Sequence, residues 1–281
     1  MTCPINGLPG TFYCRKDDAV YYLEPTSGTI FQARMPSVDA MKQYADDEYA
    51  AGVYQEYAKA RDLKIETARP RLAAIKQLAR GKRLLDIGCA TGFFMEAAAE
   101  QGFDVRGVEF SAEAIALARP DIRDRIVQGD VNALAGRESD RFDVVTAFDI
   151  IEHVQNPASF LADIRDILLP GGILALSTPD TGHFLRYLMG SRWPMLQPMQ
   201  HTVLFSQRSL AELLKRCGFG DIRVETTRKF LTVDYLADQL TVTNPGLSRT
   251  YHKLSWVVPG MLRRKPVGVN IGEFVAYARR A

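Results

Sequence analysis

Residues 82–177 alternate between short apolar runs and stretches with helical spacing, and this alternation restricts the chain to few folds. The apolar runs fall at 83–87, 105–109, 125–128, 142–148 and 173–177. Strands that are apolar along their whole length are buried on both faces, which requires a parallel sheet with helices on each side. Two later runs, at 221–227 and 271–279, bring the count to seven. The sequence therefore predicts an α/β fold with a doubly wound, mostly parallel, seven-stranded sheet.

The rest of the chain divides around this pattern. Residues 1–36 are rich in turn-forming residues and predict a small hairpin with strands at 19–23 and 29–33. Residues 37–81 predict a helical cap, with helices over 37–60 and 63–79 and Ser37 as the first N-cap. The α/β domain then occupies 82–281. Its two stretches without a strand–helix pattern, 179–205 and 229–267, are interpreted as insertions that cover a substrate.

Composition excludes several classes of protein. The 281 residues are 47% hydrophobic and 24% charged, which is typical of a globular protein. No apolar run approaches the roughly 20 residues of a membrane-spanning helix, and residues 1–7 do not resemble a secretory signal. The four cysteines are scattered without a C-x-x-C pair, which favours a reducing cytoplasm over a disulfide framework.

The turn after the first strand of the α/β domain, Asp86-Ile-Gly-Cys-Ala-Thr-Gly92, indicates a bound cofactor. Glycines at such a turn let a ligand approach the backbone at a helix N-terminus. A nicotinamide fingerprint would need a third glycine where Phe93 stands. The Asp86 carboxylate would also repel a pyrophosphate but would suit an ammonium group. S-adenosylmethionine is cationic and carries no phosphate, and the residues predicted to bind it here are Asp86, Gly88, Ala90, Gly92 and Phe93.

Two further strand ends carry acidic residues. Glu109 ends the second strand of the domain, where a carboxylate can accept hydrogen bonds from both ribose hydroxyls. Asp130 follows the third strand and is a candidate for the adenine amino group. The neighbouring residues that are also predicted to bind the cofactor are Phe110, Ser111, Gly129 and Val131. Any one of these acids could be a solvated strand end; three beside a glycine loop favour a cofactor site.

With these motifs the sequence resembles the class I S-adenosylmethionine-dependent methyltransferases, over residues 82 to about 228. The loop 86–92 resembles the family's first motif, with Ala90 in place of the middle glycine. Phe148-Asp-Ile-Ile-Glu-His-Val154 resembles the signature after the fourth strand of the ubiquinone-type O-methyltransferases, and Leu169-Pro-Gly-Gly172 resembles the turn before the fifth. The resemblance implies a Rossmann-like fold, methyl transfer to a small molecule, and a cofactor contact at Phe148.

Two of the four histidines are candidate catalytic residues. His153 follows the fourth strand of the domain, at the edge of the sheet where folds of this type bind their ligands. His201 lies in the 179–205 insertion. A structural role for His153 and a pocket-lining role for His201 remain open. Asp149-x-x-Glu152-His153 is similar to an E-x-x-E-H set that holds a divalent cation in some ubiquinone-type relatives. We predict no metal, with Glu152 capping local backbone amides instead.

The first residues resemble an eroded zinc ribbon of the kind that precedes some sugar-tailoring methyltransferases. Cys3-Pro4 and Gly7 match it, but Asn6, Glu24 and Ser27 stand at the other ligand positions. One thiolate cannot assemble a four-ligand zinc site, so we predict a hairpin without metal. Its expected packing comes from aromatic residues: Phe12, Tyr13, Tyr21, Tyr22 and Phe31. Tyr44 and Tyr49, in the helical segment that follows, are predicted to lie over the cofactor; their alternative is an ordinary core or surface position.

The charge of the chain is unevenly distributed. Residues 181–281 contain 15 basic and 6 acidic residues, although the whole chain has a net charge of only +2. This favours an anionic acceptor. The apolar segment 254–262 with the basic residues 263–265 is interpreted as a lid; contact with a membrane surface is the alternative. No nucleic-acid-binding module is recognised.

The predicted reaction is O-methylation of a sugar, phenol or other specialised metabolite, with S-adenosylmethionine as the methyl donor. The alternative enzymatic reaction is N- or C-methylation of a natural product. The alternative non-enzymatic role is that of a subunit that binds the cofactor and organises a partner protein. The sequence leaves the acceptor, the general base and the oligomeric state open.

Overall fold

The computed structural model describes residues 1–37, 39–41, 43–44, 47, 57–131, 141–235 and 260–281. Three strands come first: β1 (Thr11–Lys16), β2 (Ala19–Glu24) and β3 (Thr29–Gln32). The elements up to the fourth strand of the α/β domain are α1 (Arg61–Leu78), β4 (Arg83–Ile87), α2 (Phe93–Glu100), β5 (Asp104–Glu109), α3 (Ala112–Leu117), α4 (Pro120–Arg123), β6 (Ile126–Gln128) and β7 (Phe142–Phe148). After a 3-10 turn at Ile151–His153 follow α5 (Pro157–Ile167), β8 (Leu168–Pro179), α6 (Phe184–Met189), a 3-10 turn at Gly190–Arg192, β9 (Val203–Leu204), α7 (Gln207–Arg216), β10 (Phe219–Thr226), β11 (Lys229–Leu231), α8 (Gly260–Arg263), β12 (Val267–Val269) and β13 (Glu273–Arg280).

The central sheet has seven strands in the order β10-β13-β8-β7-β4-β5-β6. Strand β13 is antiparallel to both of its neighbours, and the other pairings are parallel. This confirms the predicted doubly wound, mostly parallel seven-stranded α/β fold. The chain order reverses between β4 and β7, so the carboxyl ends of these two strands frame the crevice where such sheets bind ligands.

Two apolar clusters cover the two faces of the sheet. One contains Leu85, Val145 and Leu176 together with residues of α5 and α7. The other contains Leu84, Val144 and Ala175 together with Leu72 and Ile75 of α1. Neighbouring residues of each strand therefore pack into opposite layers, as expected for strands buried on both sides. Strand β8 begins at Leu168, but its pairing with β7 passes from Leu168 directly to Ile173, so the predicted turn at Leu169–Gly172 is a bulge within β8, with Gly171 at φ +73°.

The N-terminal segment is larger than the predicted hairpin. Strands β1, β2, β3 and β9 form a four-stranded sheet, in which β9 comes from the 179–205 insertion and pairs with β3. The two residues of β9 give no recognisable strand signal, so the sequence could not predict this pairing. The expected aromatic packing is present in two pairs: Tyr22 stacks on Phe31 with ring centroids 6.0 Å apart, and Phe12 meets Tyr22 edge-on at 6.5 Å.

Hydrogen bonds join the positions at which a zinc ribbon would carry its remaining ligands. Glu24 is 1% exposed, and its Oε2 accepts from Asn6 Nδ2 at 2.8 Å and from the Ser27 hydroxyl at 2.5 Å. The backbone N–H of Ser27 donates to the same oxygen at 2.8 Å. Burial acts to raise the pKa of Glu24, but these hydrogen bonds outweigh it and lower the pKa to about 2. A buried carboxylate thus organises this turn.

The helical cap is described only in part. Ser37 accepts a hydrogen bond from the backbone N–H of Ala40 at 3.2 Å, as expected of an N-cap. Most of the segment 38–56, including Tyr49, lies outside the described residues, and so do residues 236–259 of the second insertion, among them 254–259 of the predicted lid. The described part of the second insertion contains β11 and β12, which pair as an antiparallel ribbon. No helix among the described residues has the length and apolarity that a membrane crossing needs.

Candidate active site

A cavity of about 360 Å³ opens at the carboxyl ends of β4 and β7. Its floor is the loop after β4, and α1 and β11 form its walls. The residues that line it include Tyr57, Lys64, Thr67, Arg71, Asp86, Gly88, Phe93, Phe94, Phe148, Asp149, Lys229 and Tyr235. Of the loop residues predicted to bind a cofactor, Asp86, Gly88 and Phe93 thus share one cavity with charged residues from α1 and β11, whereas Ala90 and Gly92 are not among its lining residues.

The loop after β4 has a backbone that only small residues permit. Gly88 adopts φ +67°, and a Cβ there would lie 2.2 Å from Ile150 Cδ1. Gly92 adopts φ +76° at the N-cap of α2, and a Cβ there would lie 2.5 Å from Ile122 Cγ2. Ala90 also has a positive φ, +50°, a conformation that costs an alanine more than a glycine. The loop is therefore built as predicted, with some strain at Ala90.

Asp86 is almost fully buried at the end of β4. Its Oδ1 accepts a 2.6 Å hydrogen bond from the Thr146 hydroxyl of β7. Burial raises the pKa of Asp86 to about 7, against the effect of that hydrogen bond, and the charge of Glu109 adds to the rise. In the ligand-free chain Asp86 therefore changes protonation near neutral pH, and a cation beside it would favour its ionised form.

Glu109 is buried at the end of β5 and connects that strand to the loop. Its Oε2 accepts a hydrogen bond from the backbone N–H of Ala90 at 2.8 Å, and its Oε1 accepts one from the N–H of Ser111 at 2.9 Å. Ser111 itself caps α3 by accepting from the N–H of Ala114, so its side chain has a structural role. Phe110 between them is 57% exposed. The carboxylate thus faces the loop in a fixed orientation.

The predicted adenine-side residues follow β6. The backbone N–H of Gly129 donates to the carbonyl of Glu109 at 2.9 Å, and Val131 is buried. Asp130 is exposed at the same edge of the sheet. The adjoining residues 132–140 lie outside the described part of the chain, so the contacts predicted for Gly129, Asp130 and Val131 stay predictions.

Helix α1 and the helical residues 57–59 before it supply site residues that were not predicted from the sequence. Tyr57 stacks on Phe93, with ring centroids 5.7 Å apart and an interplanar angle of 2°. The Arg71 guanidinium lies 4.5 Å from the ring centroid of Phe148. Together with Lys64 these residues repeat at intervals of seven, the spacing of one helix face, and this is the signal that could have found them. Tyr44 is not among the described residues that line the cavity.

Arg71 has hydrogen-bonding capacity to spare. It is 6% exposed, and its Nε and Nη2 lack hydrogen-bond partners among the described residues. Nη2 lies 3.9 Å from Oε2 of Glu273, too far for a hydrogen bond. A buried guanidinium with unused donors fits a planar anion such as a carboxylate.

Lys229 and Asp149 form a half-buried ion pair at the opposite wall of the cavity. Lys229 Nζ lies 2.9 Å from Asp149 Oδ2 and also contacts Glu273, while the Ser177 hydroxyl donates to Asp149 Oδ1 at 2.6 Å. Burial acts to raise the pKa of Asp149, but the charges of Lys229 and Arg71 and these hydrogen bonds hold it well below its usual range. Asp149 is therefore a fully engaged carboxylate.

Lys64 also lines the cavity but, unlike Lys229, it forms no ion pair with a described residue. Its Nζ lies 4.2 Å from the ring centroid of Tyr57, and among the described residues no carboxylate is within ion-pair distance. Burial lowers the pKa of Lys64 to about 8, and the nearby charge of Lys229 acts in the same direction. An anionic ligand in the cavity would compensate this charge.

The two candidate catalytic histidines lie together behind Asp149 and do not line the described cavity. Their ring centroids are 4.8 Å apart, at an interplanar angle of 71°. Burial lowers the pKa of His153, and burial together with the charge of His153 lowers the pKa of His201 to about 3. Both imidazoles are therefore neutral at pH 7. Glu152 between them is 1% exposed, and burial and the charge of Asp149 raise its pKa well above the usual range.

Comparison with known proteins places this geometry in a family. Residues 55–224, more than half of the chain, match the family model described as a methyltransferase domain. A ubiquinone biosynthesis O-methyltransferase of Actinobacillus pleuropneumoniae is 28% identical over 175 residues, which cover 57% of this chain and 75% of that protein. The protein of the same name from Aeromonas salmonicida is 33% identical over 122 residues, covering 41% and 51% of the two chains.

Solved structures show the same fold at low sequence identity. An Archaeoglobus fulgidus SAM-dependent methyltransferase is 18% identical, with a TM-score of 0.52 over 77% of this chain and 94% of that one. A SAM-dependent methyltransferase from Thermotoga maritima is 18% identical, with a TM-score of 0.53 over 87% of this chain and all of that one. From the family match, the sheet order and the loop at 86–92, the chain belongs to the methyltransferase-domain family and is an S-adenosylmethionine-dependent methyltransferase with the class I fold.

Proposed function

We propose that this enzyme methylates an oxygen of a small molecule, such as a sugar, a phenol or another specialised metabolite. The observation that carries this proposal is the shared cavity, which the cofactor loop lines on one side and the ion pair of Asp149 and Lys229 on the other. The O-methyltransferases among the relatives support oxygen as the acceptor atom. When bound, S-adenosylmethionine supplies a methyl group on a sulfonium centre.

Two groups that line the cavity, Asp86 and Arg71, and Glu109 beside the loop fit the parts of this cofactor. Asp86 would take the ammonium group, since a cation favours its ionised form. The unused N–H donors of Arg71 would hold the carboxylate of the methionine moiety. Glu109, whose orientation two backbone N–H groups fix, would accept from the ribose hydroxyls. These contacts would align the methyl group toward Asp149 and the acceptor side of the cavity.

A hydroxyl acceptor must lose its proton as the oxygen–methyl bond forms. We assign this proton to the histidine pair behind Asp149, because a neutral imidazole can accept one; since neither ring lines the described cavity, the proton would reach the pair through an intervening group. His153 is half-buried and His201 is buried, so His153 would receive the proton and His201 would orient it. An amine acceptor, the alternative, would need a base only if it entered the site as an ammonium ion.

The acceptor would carry negative charge. The basic carboxyl-terminal third led to this expectation, but there Arg263 and Arg264 face Asp234, at 3.1 and 3.8 Å. Lys64 supports the same expectation better, because it lines the cavity and no described carboxylate lies within ion-pair distance of it. Lys64 would therefore hold a carboxylate or phosphate of the acceptor. We further propose a cytoplasmic location, where the four free cysteines would stay reduced.

The test is turnover of matched acceptors. The enzyme is incubated with S-adenosylmethionine and with pairs of phenols that differ by one carboxylate, and formation of S-adenosylhomocysteine is followed. We expect methylated oxygen in the product and a higher kcat/KM for the carboxylated member. Lys64→Met should remove most of that preference, and Lys59→Met, outside the described cavity lining, is the matched control. Methylation of amines but not of hydroxyls would refute the proposal.

A further inference from the structure

Glu96 is a buried carboxylate beside the cofactor cavity. It lies in the first turn of α2, where its backbone N–H donates to the carbonyl of Gly92 at 2.8 Å. Its side chain is only 2% exposed, and it is not among the residues that line the cavity. A buried charge is costly unless it is paired, so the partners of Glu96 indicate what it does.

Two arginines from different segments meet at Oε2 of Glu96. Arg61, the first residue of α1, donates to it through Nη2 at 2.5 Å and through Nε at 3.1 Å. Arg119, the residue before α4, places its Nη1 3.5 Å from the same oxygen. One buried oxygen therefore joins the beginnings of α1 and α4 to the first turn of α2.

Arg61 connects Glu96 to a wall of the cavity. Tyr57 lies one helical turn before Arg61, and its carbonyl accepts from the N–H of Ala60 at 3.1 Å. The ring of Tyr57 stacks on Phe93 with ring centroids 5.7 Å apart, and both rings line the cavity. A displacement of Arg61 from α2 would therefore carry the ring of Tyr57 away from Phe93 and open this wall.

Arg119 connects Glu96 to the end of the cofactor loop. Its Nε and Nη2 also donate to the two carboxylate oxygens of Asp121, at 2.7 and 2.6 Å. Ile122, in the same short helix, is the side chain that leaves no room for a Cβ at Gly92. The segment at Arg119 thus has other contacts that hold it in place, and the beginning of α1 depends more strongly on Glu96.

The pair of Arg61 and Glu96 is better suited to fix a position than to add stability. Desolvation offsets much of the attraction within a buried ion pair, so apolar side chains of similar size often stabilise a fold equally well. Two charge-assisted hydrogen bonds to one oxygen do, however, specify how Arg61 is oriented. The neighbouring carboxylate of Asp62 is 3.5 Å from Arg61 and 92% exposed, so it is a poor substitute for Glu96.

We propose that Glu96 is a positioning residue for the cofactor and that, through Arg61, it keeps the ring of Tyr57 in place as a wall beside bound S-adenosylmethionine. The inference rests on the placement of the cofactor in this cavity, which is part of the proposed function. Glu96 itself would touch neither the cofactor nor the reacting atoms. Without the ion pair this wall would open more readily and the bound cofactor would leave faster, whereas Asp86 and the glycine loop would stay in place to bind it.

The experiment measures how fast S-adenosylhomocysteine associates with and dissociates from the full-length protein, by surface plasmon resonance. The variant Arg61→Met/Glu96→Met replaces the ion pair with apolar side chains of similar length. We expect its dissociation to be at least about tenfold faster and its association to change by less than about threefold. The matched control is Glu66→Met/Arg69→Met, which removes an exposed ion pair of α1 and should leave both rates unchanged.

A second comparison separates positioning from a general loss of structure. In a Tyr57→Leu background the wall has already lost its ring, so removal of the ion pair should accelerate dissociation by less than about twofold. A structural role would accelerate dissociation by the same factor in both backgrounds. Equal factors, or unchanged dissociation in Arg61→Met/Glu96→Met, would overturn the inference. Arg61→Lys, which keeps the charge, should dissociate more slowly than the double variant.

The same measurements separate this inference from the proposed function. A parent enzyme that methylates hydroxyl groups, with cofactor dissociation that does not depend on the ion pair, would overturn only the positioning role of Glu96. A parent enzyme that methylates only amines, with dissociation that depends on the ion pair through Tyr57, would overturn only the proposed function. A parent protein that does not bind S-adenosylhomocysteine would overturn both.

Discussion

The backbone N–H of Ala90 donates a 2.8 Å hydrogen bond to Oε2 of Glu109 and thereby connects the loop after β4 to the end of β5. A charged carboxylate is needed both for this contact and for the ribose hydroxyls. Glu109→Gln should therefore weaken binding of S-adenosylhomocysteine about ten- to a hundredfold, measured by calorimetry. Glu113→Gln, an exposed change in the next helix, is the control. Equal affinities for the two variants would contradict the assignment of Glu109.

Asp86 should couple cofactor binding to a proton. Because its pKa is raised to about 7 in the free chain and an ammonium group favours the carboxylate, binding below pH 7 should release a proton. Affinity should then rise with pH between about 5.5 and 7 and level off above it. The measurement is calorimetry in buffers that differ in ionisation enthalpy. Asp86→Asn should weaken binding and abolish the proton release; release of the same size in that variant would exclude Asp86 as its source.

Arg71 should bind the carboxylate of the cofactor and no other part of it. Arg71→Met should weaken S-adenosylhomocysteine about tenfold or more, because a charge-assisted hydrogen bond is lost. It should leave the affinity for 5′-methylthioadenosine, which lacks the amino-acid moiety, nearly unchanged. The matched control is Arg69→Met on the exposed side of the same helix. A parallel loss for both ligands would mean that Arg71 acts through the structure of the cavity and not through the carboxylate.

Glu24 should stabilise the N-terminal sheet in a pH-dependent way. Its pKa in the folded chain, about 2, lies below the ordinary value of 4.5. Its contribution is therefore complete above pH 4.5 and disappears as the pH falls from about 4.5 to about 2. Glu24→Gln should lower the free energy of unfolding by about 1–3 kcal/mol at pH 6 and by clearly less at pH 3. Urea unfolding measures this, with Asp18→Asn as the control; a deficit that does not depend on pH would contradict the role of the charge.

The sheet and the cofactor loop could be predicted because local sequence determines them. Strand periodicity and the glycines at 88 and 92 act within a few residues, and the carboxyl ends of parallel strands always meet at one edge. The acids at Asp86 and Glu109 followed from that rule. Their hydrogen bonds and the raised pKa of Asp86 did not, because both depend on burial by segments that are distant in the sequence.

The positions of the other site residues depend on how segments that are distant in the sequence pack against each other. Arg71 and Lys229 line the same cavity only because α1 and β11 pack against each other. Neither segment contains a sequence pattern that predicts this packing. His153 and His201 come together because β9 adds to the N-terminal sheet, which carries Gln32 against the loop of His201. Tyr57, further along the same helical segment, lines the cavity, whereas the predicted position of Tyr44 over the cofactor stays a prediction.

The central claim is that the cavity at the carboxyl ends of β4 and β7 binds a cationic cofactor that carries no phosphate. Equilibrium binding of S-adenosylmethionine and of NAD⁺ to the full-length protein tests it most directly, with Asp86→Asn measured in parallel. We predict one S-adenosylmethionine per chain, weaker binding by the variant, and no binding of NAD⁺. Binding of NAD⁺, or the same affinity for S-adenosylmethionine with and without Asp86, would contradict it.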